Sequence, residues 1–334
     1  MSLFALITAL LLEQIHPLSS RKYLHDWLTK YVVFFLHHFN TGQRKHGKIA
    51  WLLAVIPLLT GVSLLSCWLY RVHPILSWAF NVLTLYLTMG FRQFSHYFTD
   101  IHQALRDDQL DQARRLLTHW RGVPSHELNT EEVVRVTIEE SLLASHRNVF
   151  GIIVWFVLFS VLGLGGATGA LLYRLGQFLR TYWYSHQGAT APIGLTEDEK
   201  SVACDLGGLG LQRNEFGEFA QNAFYLLEWL PIRLTAMTFA IVGNFEDTAY
   251  CWRTQAANWP DREIGILLAS GAGALGVRLG MPIPQGGMPL DRPELGVGDE
   301  ADTGHMQSTI GLVWRSVVFW LILLLLLTLA SLIG

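Results

Sequence analysis

The stretch TEEVVRVTIEESLLASHRN, residues 130–148, runs without a break into VFGIIVWFVLFSVLGLGGATGALLYRLG, residues 149–176. A polar, helix-patterned segment carrying Arg135, Glu139, Glu140, His146, Arg147 and Asn148 therefore enters an apolar one. The apolar run is long enough for a bilayer, which needs about 20 such residues per helical crossing. This junction decides the fold class: an all-α, polytopic integral membrane protein with amphipathic or interfacial helices and sizeable polar loops. Asn129 is placed to cap the polar helix, and Glu132 completes a capping-box start. Arg135 and Glu139 are one turn apart and share a face, and His146 follows two turns later on nearly the same side. Such a group reads in two ways. It is an exposed ion pair with interfacial anchors, inexpensive at the edge of the hydrocarbon, or it is a cluster that binds an anionic head group or substrate.

Composition supports the membrane reading. Of 334 residues, 51% are hydrophobic and only 15% charged, against about 25% charged in soluble domains. A net charge of −3 supplies no electrostatic reason to expect nucleic acid. The 12 tryptophans and 10 tyrosines suit two interfacial belts. Cys67, Cys204 and Cys251 are odd in number and lack C-x-x-C spacing, so they read as packing residues rather than zinc ligands or a disulfide framework.

Upstream, residues 1–12 are apolar but too short to span, and they lack the basic start and cleavage site of a signal peptide. A short interfacial or packed helix is expected there. Residues 13–48 carry Arg21, Lys22, Lys30, Arg44, Lys45 and Lys48 against Glu13 and Asp26, which puts them on the cytoplasmic side of an inner membrane. Residues 49–70 and 74–91, joined by Arg71-Val72-His73, read as a helical hairpin through the bilayer, with Pro57 tolerated because neighbours satisfy the freed carbonyl. Residues 92–148 form a polar helical region. Its apolar stripes are Phe94, Tyr97, Phe98, Ile101 and Leu105, then Leu110, Ala113, Leu116, Leu117 and Trp120, closed by Gly122-Val123-Pro124.

Downstream, residues 149–175 cross as one tilted helix or break at Gly163–Gly166 into a re-entrant pair. Beyond them lie an acidic run, Glu197-Asp198-Glu199, and the turn former Gly207-Gly208. Residues 226–245 are membrane-associated despite Pro231 and Arg233, the arginine being either a functional charge or an interfacial partner of Glu228. GAGALG at residues 271–276 matches G-x-G-x-x-G literally, but no βαβ pattern surrounds it, so close helix packing through small residues is the reading. Residues 282–298 form a loop, and residues 317–333, after Trp314 and Arg315, are the last span. The whole chain, 1–334, is expected to be a single membrane domain with parts 1–91, 92–148, 149–311 and 312–334.

Three ordered motifs carry a family resemblance. ARRLLTHWRGVPSHELNTEEVVRVTIEESL, residues 113–142, resembles the CobD/CbiB family of cobalamin-synthesis membrane proteins, whose Ala-Arg, Gly and Arg-x-x-x-Glu fall here on Ala113-Arg114, Gly122, and Arg135 with Glu139. LEWLPIRLTA is similar to its Trp-x-Pro-x-Arg-Leu, which places Trp229, Pro231, Arg233 and Leu234. SGAGALGVRLGMPIPQGG resembles its Ala-x-x-Ala-Leu-Gly-Val-x-Leu-Gly block, with Gly276 and Gly280 as motif glycines. The chain departs from the pattern where the family has Glu-Asn and Asp; Leu143, Ala144 and Arg147 stand there, so two carboxylates expected to bind metal or substrate are absent.

The resemblance implies ATP- and Mg²⁺-dependent amide condensation of adenosylcobyric acid with an aminopropanol phosphate. Within it Glu139 is the catalytic candidate, while Arg135, His146, Arg233 and Arg278 are substrate-binding candidates. Arg114, Gly122, Trp229, Pro231, Gly276 and Gly280 are structural, and no metal ligands are assigned. Partners are the bilayer and a corrinoid or other anionic small molecule, with self-association left open. The chain also resembles AmpE through Gly122-Val123-Pro124 and Trp229–Leu234, which implies as the alternative a non-enzymatic inner-membrane sensor linked to cell-wall or β-lactamase regulation.

Overall fold

The computed structural model describes residues 2–15, 21–40, 44–184, 215–285 and 288–333. The acidic run Glu197-Asp198-Glu199, Gly207-Gly208 and Cys204 lie outside the described residues. Among those described, four helices are long and apolar enough to cross a membrane, within residues 44–72, 130–161, 216–242 and 303–330. Side chains such as Leu64, Trp68, Leu326 and Leu327 stand exposed on two of them, as lipid-facing positions must. The chain is a polytopic helical membrane protein. Its described residues gather into two compact units, each made from two stretches of chain: Met1–Arg92 with Gly151–Glu228, and Gln93–Phe150 with Trp229–Gly334.

The first unit contains α1 (Ser2–Ile15), α2 (Arg21–Phe39), α3 (Arg44–Val72), α4 (Pro74–Thr88), α8 (Gly151–Val161), α9 (Gly166–Trp183) and the first half of α10 (Glu215–Val242). α1 packs on α4 and has Leu3, Ala5, Leu6 and Ala9 buried, so the short N-terminal apolar run is a packed helix. α4 starts on Pro74 after His73, whose side chain caps Ile75 N–H at 3.2 Å. Of the two geometries open for residues 149–175, the break is the one adopted. α8 and α9 fold against each other through a turn in which Gly163 and Gly165 have φ of 72° and 85°, the left-handed region that glycine enters freely. Gly169 lets α9 approach the Trp155 backbone, and Gly151 leaves room for the buried Tyr173 ring.

Pro231 does not break α10. A proline removes the hydrogen bond to the carbonyl four residues before it, here Leu227, and Trp155 Nε1–H donates to that oxygen at 3.0 Å. Substituting Trp155→Phe keeps the ring but strands the carbonyl, so a loss of about 1–3 kcal/mol is expected; chemical unfolding in detergent checks it, and an unchanged midpoint would show that another donor serves Leu227.

The second unit holds α5 (Phe91–Arg106), α6 (Leu110–Arg121), α7 (Thr130–Ser145), the second half of α10, α11 (Phe245–Thr254), α12 (Arg262–Leu275), two small antiparallel ribbons and α13 (Thr303–Ile333). The ribbons pair β1 (Leu279–Gly280) with β4 (Glu294–Leu295) and β2 (Ile283–Gln285) with β3 (Met288–Leu290). α6 ends on Gly122 in the left-handed conformation, and Arg114 Nε donates to Leu128 O at 2.7 Å, fixing the following turn. Asn129 and Glu132 form the expected capping box at the start of α7.

α7 itself departs from expectation. Every residue from Val133 to His146 is buried except the half-buried Arg135, because α6, α12, α13 and β1 pack around it. The helix read as a boundary element is the interior element of this unit. GAGALG lies at the C-terminal end of α12, where Gly271 meets Leu142, Gly273 meets the Asp247 backbone and Gly276 is the left-handed cap. These are packing roles.

Cys67 is exposed and Cys251 fully buried. Burial, with Asp247 nearby, pushes the Cys251 thiol up to about 11. In a Cys67→Ser, Cys204→Ser background, maleimide at pH 8 is therefore expected to label Cys251 only after denaturation, since the thiolate is the reacting form; rapid labelling of the folded protein would contradict that burial.

Candidate functional site

Spacings of four, three and four put Arg135, Glu139, Leu142 and His146 on one face of α7. Each meets a different neighbour within the second unit. Glu139, 4% exposed, has both carboxylate oxygens engaged: Oε1 accepts from Gly280 N–H at 2.8 Å, and Oε2 from Arg292 Nη1 at 2.7 Å. Arg292 donates in turn from Nη2 to Gly280 O at 2.9 Å and from Nε to Met281 O at 3.1 Å, and its guanidinium lies 5.7 Å over the Trp259 ring. One carboxylate and one guanidinium thus clamp both sides of the Gly280–Met281 corner.

That corner needs clamping. Gly280 and Met281 have φ of 75° and 62°, and for a residue with a Cβ the left-handed region costs about 1–2 kcal/mol. Strained backbone held by over-determined surroundings is concentrated at functional sites. Beside it, Arg135 Nη1 donates to the Met281 thioether at 3.1 Å, a weak acceptor for a guanidinium. Its Nε is buried and has no hydrogen-bond partner among the described residues. The expected pairing of Arg135 with Glu139 as an exposed ion pair is corrected, because Arg292, 153 positions away in sequence, holds the carboxylate instead.

His146 lies two turns further along and is fully enclosed. Its Nδ1 is 3.0 Å from Thr235 Oγ1, and Nε2 has no hydrogen-bond partner among the described residues. The helix widens to a π-turn over His146–Phe150, a local geometry frequent at functional positions. Adjacent to Glu139, Glu140 is also buried; Arg121 Nε reaches its Oε1 at 3.1 Å, leaving Oε2 without a described partner. Removing the cation from a carboxylate so buried would be strongly destabilising, because it leaves a buried charge uncompensated.

Arg233 sits elsewhere. It makes a two-pronged contact with Glu263 at 2.8 and 3.2 Å, donates to Trp229 O at 2.7 Å and stacks 4.4 Å over the Trp229 ring. Its carboxylate is Glu263 rather than Glu228, which lies 3.5 Å from Arg180 in the first unit. Arg278 spans Glu300 at 3.2 Å and Glu294 at 3.7 Å. The structure therefore groups Arg135 and Glu139 with Gly280, places His146 along the same helix face, and gives Arg233 and Arg278 carboxylate partners of their own. Sequence reasoning missed Arg292, Met281, Glu263 and Arg121. Arg292 falls in a stretch read as a loop, where no periodicity points to a partner. Among the described residues no three His, Cys, Asp or Glu side chains converge as metal ligands.

Comparison with known proteins follows the same lines. The profile of the family described as CobD/Cbib protein matches residues 3–183 and 210–313. The chain is 33% identical to the cobalamin biosynthesis protein CobD of Stutzerimonas stutzeri, over 97% of this chain and 98% of the relative. It is 32% identical to the protein of that name from Chromobacterium violaceum, over 80% and 76%, and 24% identical to the cobalamin biosynthesis protein CbiB of Salmonella arizonae, over 86% and 85%. No solved structure matches. These relatives are named for cobalamin biosynthesis, and the AmpE-like alternative finds no support among them.

Proposed function

The chain belongs to the CobD/CbiB family of cobalamin biosynthesis proteins, and from that premise we propose that it condenses a corrinoid carboxylate, that of adenosylcobyric acid, with the amine of an aminopropanol phosphate. In such a condensation ATP's terminal phosphoryl group passes to a carboxylate oxygen. The amine nitrogen then attacks the acyl carbon, the carbon–oxygen bond breaks, phosphate leaves and the amine gives up a proton. The observation that supports this reading is Arg135, a half-buried guanidinium whose described hydrogen-bond acceptor is a thioether. A planar cation in that state is suited to a carboxylate or phosphate, which it grips through paired donors.

In this reading Arg135 holds an oxyanion of one substrate. Glu139, with both oxygens taken, is a positioning residue: it keeps Arg292 and the Gly280–Met281 corner in place beside Arg135. His146 Nε2 offers a buried nitrogen on the same helix face. Mg²⁺, which would supply charge neutralisation to a bound triphosphate, needs few protein ligands because it keeps waters and substrate oxygens, and among the described residues no three His, Cys, Asp or Glu side chains are grouped to hold it.

The test is turnover of adenosylcobyric acid, aminopropanol phosphate, ATP and Mg²⁺ by the purified protein, followed by mass analysis for the amide, with calorimetric binding alongside. Arg135→Ala is expected to weaken substrate binding roughly ten- to hundredfold, the range of a lost charge-assisted hydrogen bond, with helix content and melting unchanged. Unaltered binding and turnover in that variant would remove Arg135 from the site. Absence of amide product with the parent protein would remove the condensation itself.

A further inference from the structure

The first unit carries, on one helix, a surface that the condensation does not use. α2 turns Leu28, Val32 and Leu36 inward, each no more than 4% exposed. Its opposite side has an aromatic flank and a polar edge. Trp27 and Phe34, 49% and 52% exposed, form that flank, while Tyr31, Phe35 and Phe39, whose rings follow that of Trp27 at 5.5, 5.1 and 5.7 Å, are half-buried against the core. Lys30, with Asp26 and His37, lies exposed on the neighbouring edge. α2 is not among the helices apolar enough to cross a membrane.

Hydrogen bonds fix this helix beside α3 and α9. Tyr31 Oη–H donates to Ala54 O at 2.8 Å in the early turns of α3, and Trp183 Nε1–H donates to Val32 O at 3.0 Å from the last turn of α9. Gly47 of α3 abuts the Phe216 backbone, and Gly217 abuts that of Trp183. The starts of α3 and α10 and the end of α9 therefore meet beside α2. The first turn of α3 adds Arg44, Lys45 and Lys48, all exposed. Against these cations the described residues set Asp26, Glu218, 3.8 Å from Arg44, and Glu215 at the first position of α10.

We propose that the outer side of α2, with Lys45 and Lys48 at the start of α3, is a docking surface for anionic phospholipid headgroups. The aromatic flank has the character of side chains that settle at the boundary between headgroup and acyl chain, and the lysines face the phosphates. Charge complementarity selects the occupant: a cationic end of a membrane bundle, flanked by exposed tryptophan and phenylalanine, matches a negatively charged leaflet and not a neutral one.

The experiment uses the full chain, delipidated in detergent and then titrated with phosphatidylglycerol or phosphatidylcholine, lipid retention being read by native mass spectrometry. The parent protein is expected to retain phosphatidylglycerol in preference. Each lysine contributes roughly fivefold and the three together about a hundredfold, so Lys30→Gln, Lys45→Gln, Lys48→Gln in one chain should abolish the preference. Lys45→Gln alone, the mildest change, should lower it about fivefold. Trp27→Ala with Phe34→Ala should weaken retention of both lipids and leave their ratio alone. No preference in the parent, or a preference untouched by the lysine variants, overturns the proposal. So does a preference that the lysine variants leave intact but that rises when Glu197, Asp198 and Glu199 are neutralised, because the cations would then serve the chain's own acidic run.

Discussion

Replacing Arg292 with alanine is expected to destabilise the unit formed by Gln93–Phe150 and Trp229–Gly334 by about 3–5 kcal/mol, the usual cost of removing one partner from a buried ion pair. The substitution leaves Glu139, 4% exposed, with Gly280 N–H as its remaining described donor. It also frees the carbonyls of Gly280 and Met281, which Arg292 holds in a conformation Met281 would not adopt alone. Removing both charges, as in Arg292→Met with Glu139→Leu, should recover part of the loss, since no unpaired ion then remains. Denaturant unfolding in detergent, read from unit-specific hydrogen exchange around residues 277–283, measures both. A loss under about 1 kcal/mol for Arg292→Ala would mean the pair behaves as a solvent-screened surface contact, and the clamp would no longer explain the corner.

Gly280→Ala is the second large effect. At φ 75° the backbone sits where an L side chain is strained, and the added Cβ would run into the Pro293 carbonyl oxygen. Left-handed strain of about 1–2 kcal/mol and overpacking of about 1–3 kcal/mol together give about 2–5 kcal/mol. The carbonyl belongs to backbone, so little relaxation is available. Gly61→Ala, in α3 with open space where its Cβ would go, is the control and should be neutral or slightly stabilising, because alanine favours the helix. If the two variants unfold alike, the corner is more pliable than its hydrogen bonds imply. Because β1 delivers Gly280 N–H to Glu139, the variant also tests the site: loss of corrinoid binding beyond the loss of stability would place the corner in the binding surface.

Much of the scaffold is written in local pattern. Hydrophobic runs of membrane length, the Asn129–Glu132 capping box and the helix stop at Gly122 depend on neighbours a few residues away. Short-range steric and hydrogen-bonding rules are enough to read them. The spacing of Arg135, Glu139 and His146 likewise shows on its face that they line one side of a helix.

What that spacing does not contain is the partner of each charge. A helix face says where a carboxylate points, but Coulomb energy and desolvation depend on whatever the rest of the chain brings within about 4 Å. For Glu139 that is Arg292, for Arg233 it is Glu263, and for Glu140 it is Arg121, separated by 153, 30 and 19 positions. The amino-acid sequence by itself thus determined a polytopic helical membrane protein, the cap of α7 and the helix face that carries the candidate chemistry, and it left residues 149–175 open between one tilted helix and a break. Only the tertiary structure decided that α7 is interior, that Arg292 rather than Arg135 neutralises Glu139, and that Arg135 is left beside a thioether, because pairing and burial are properties of packed neighbours and not of chain position.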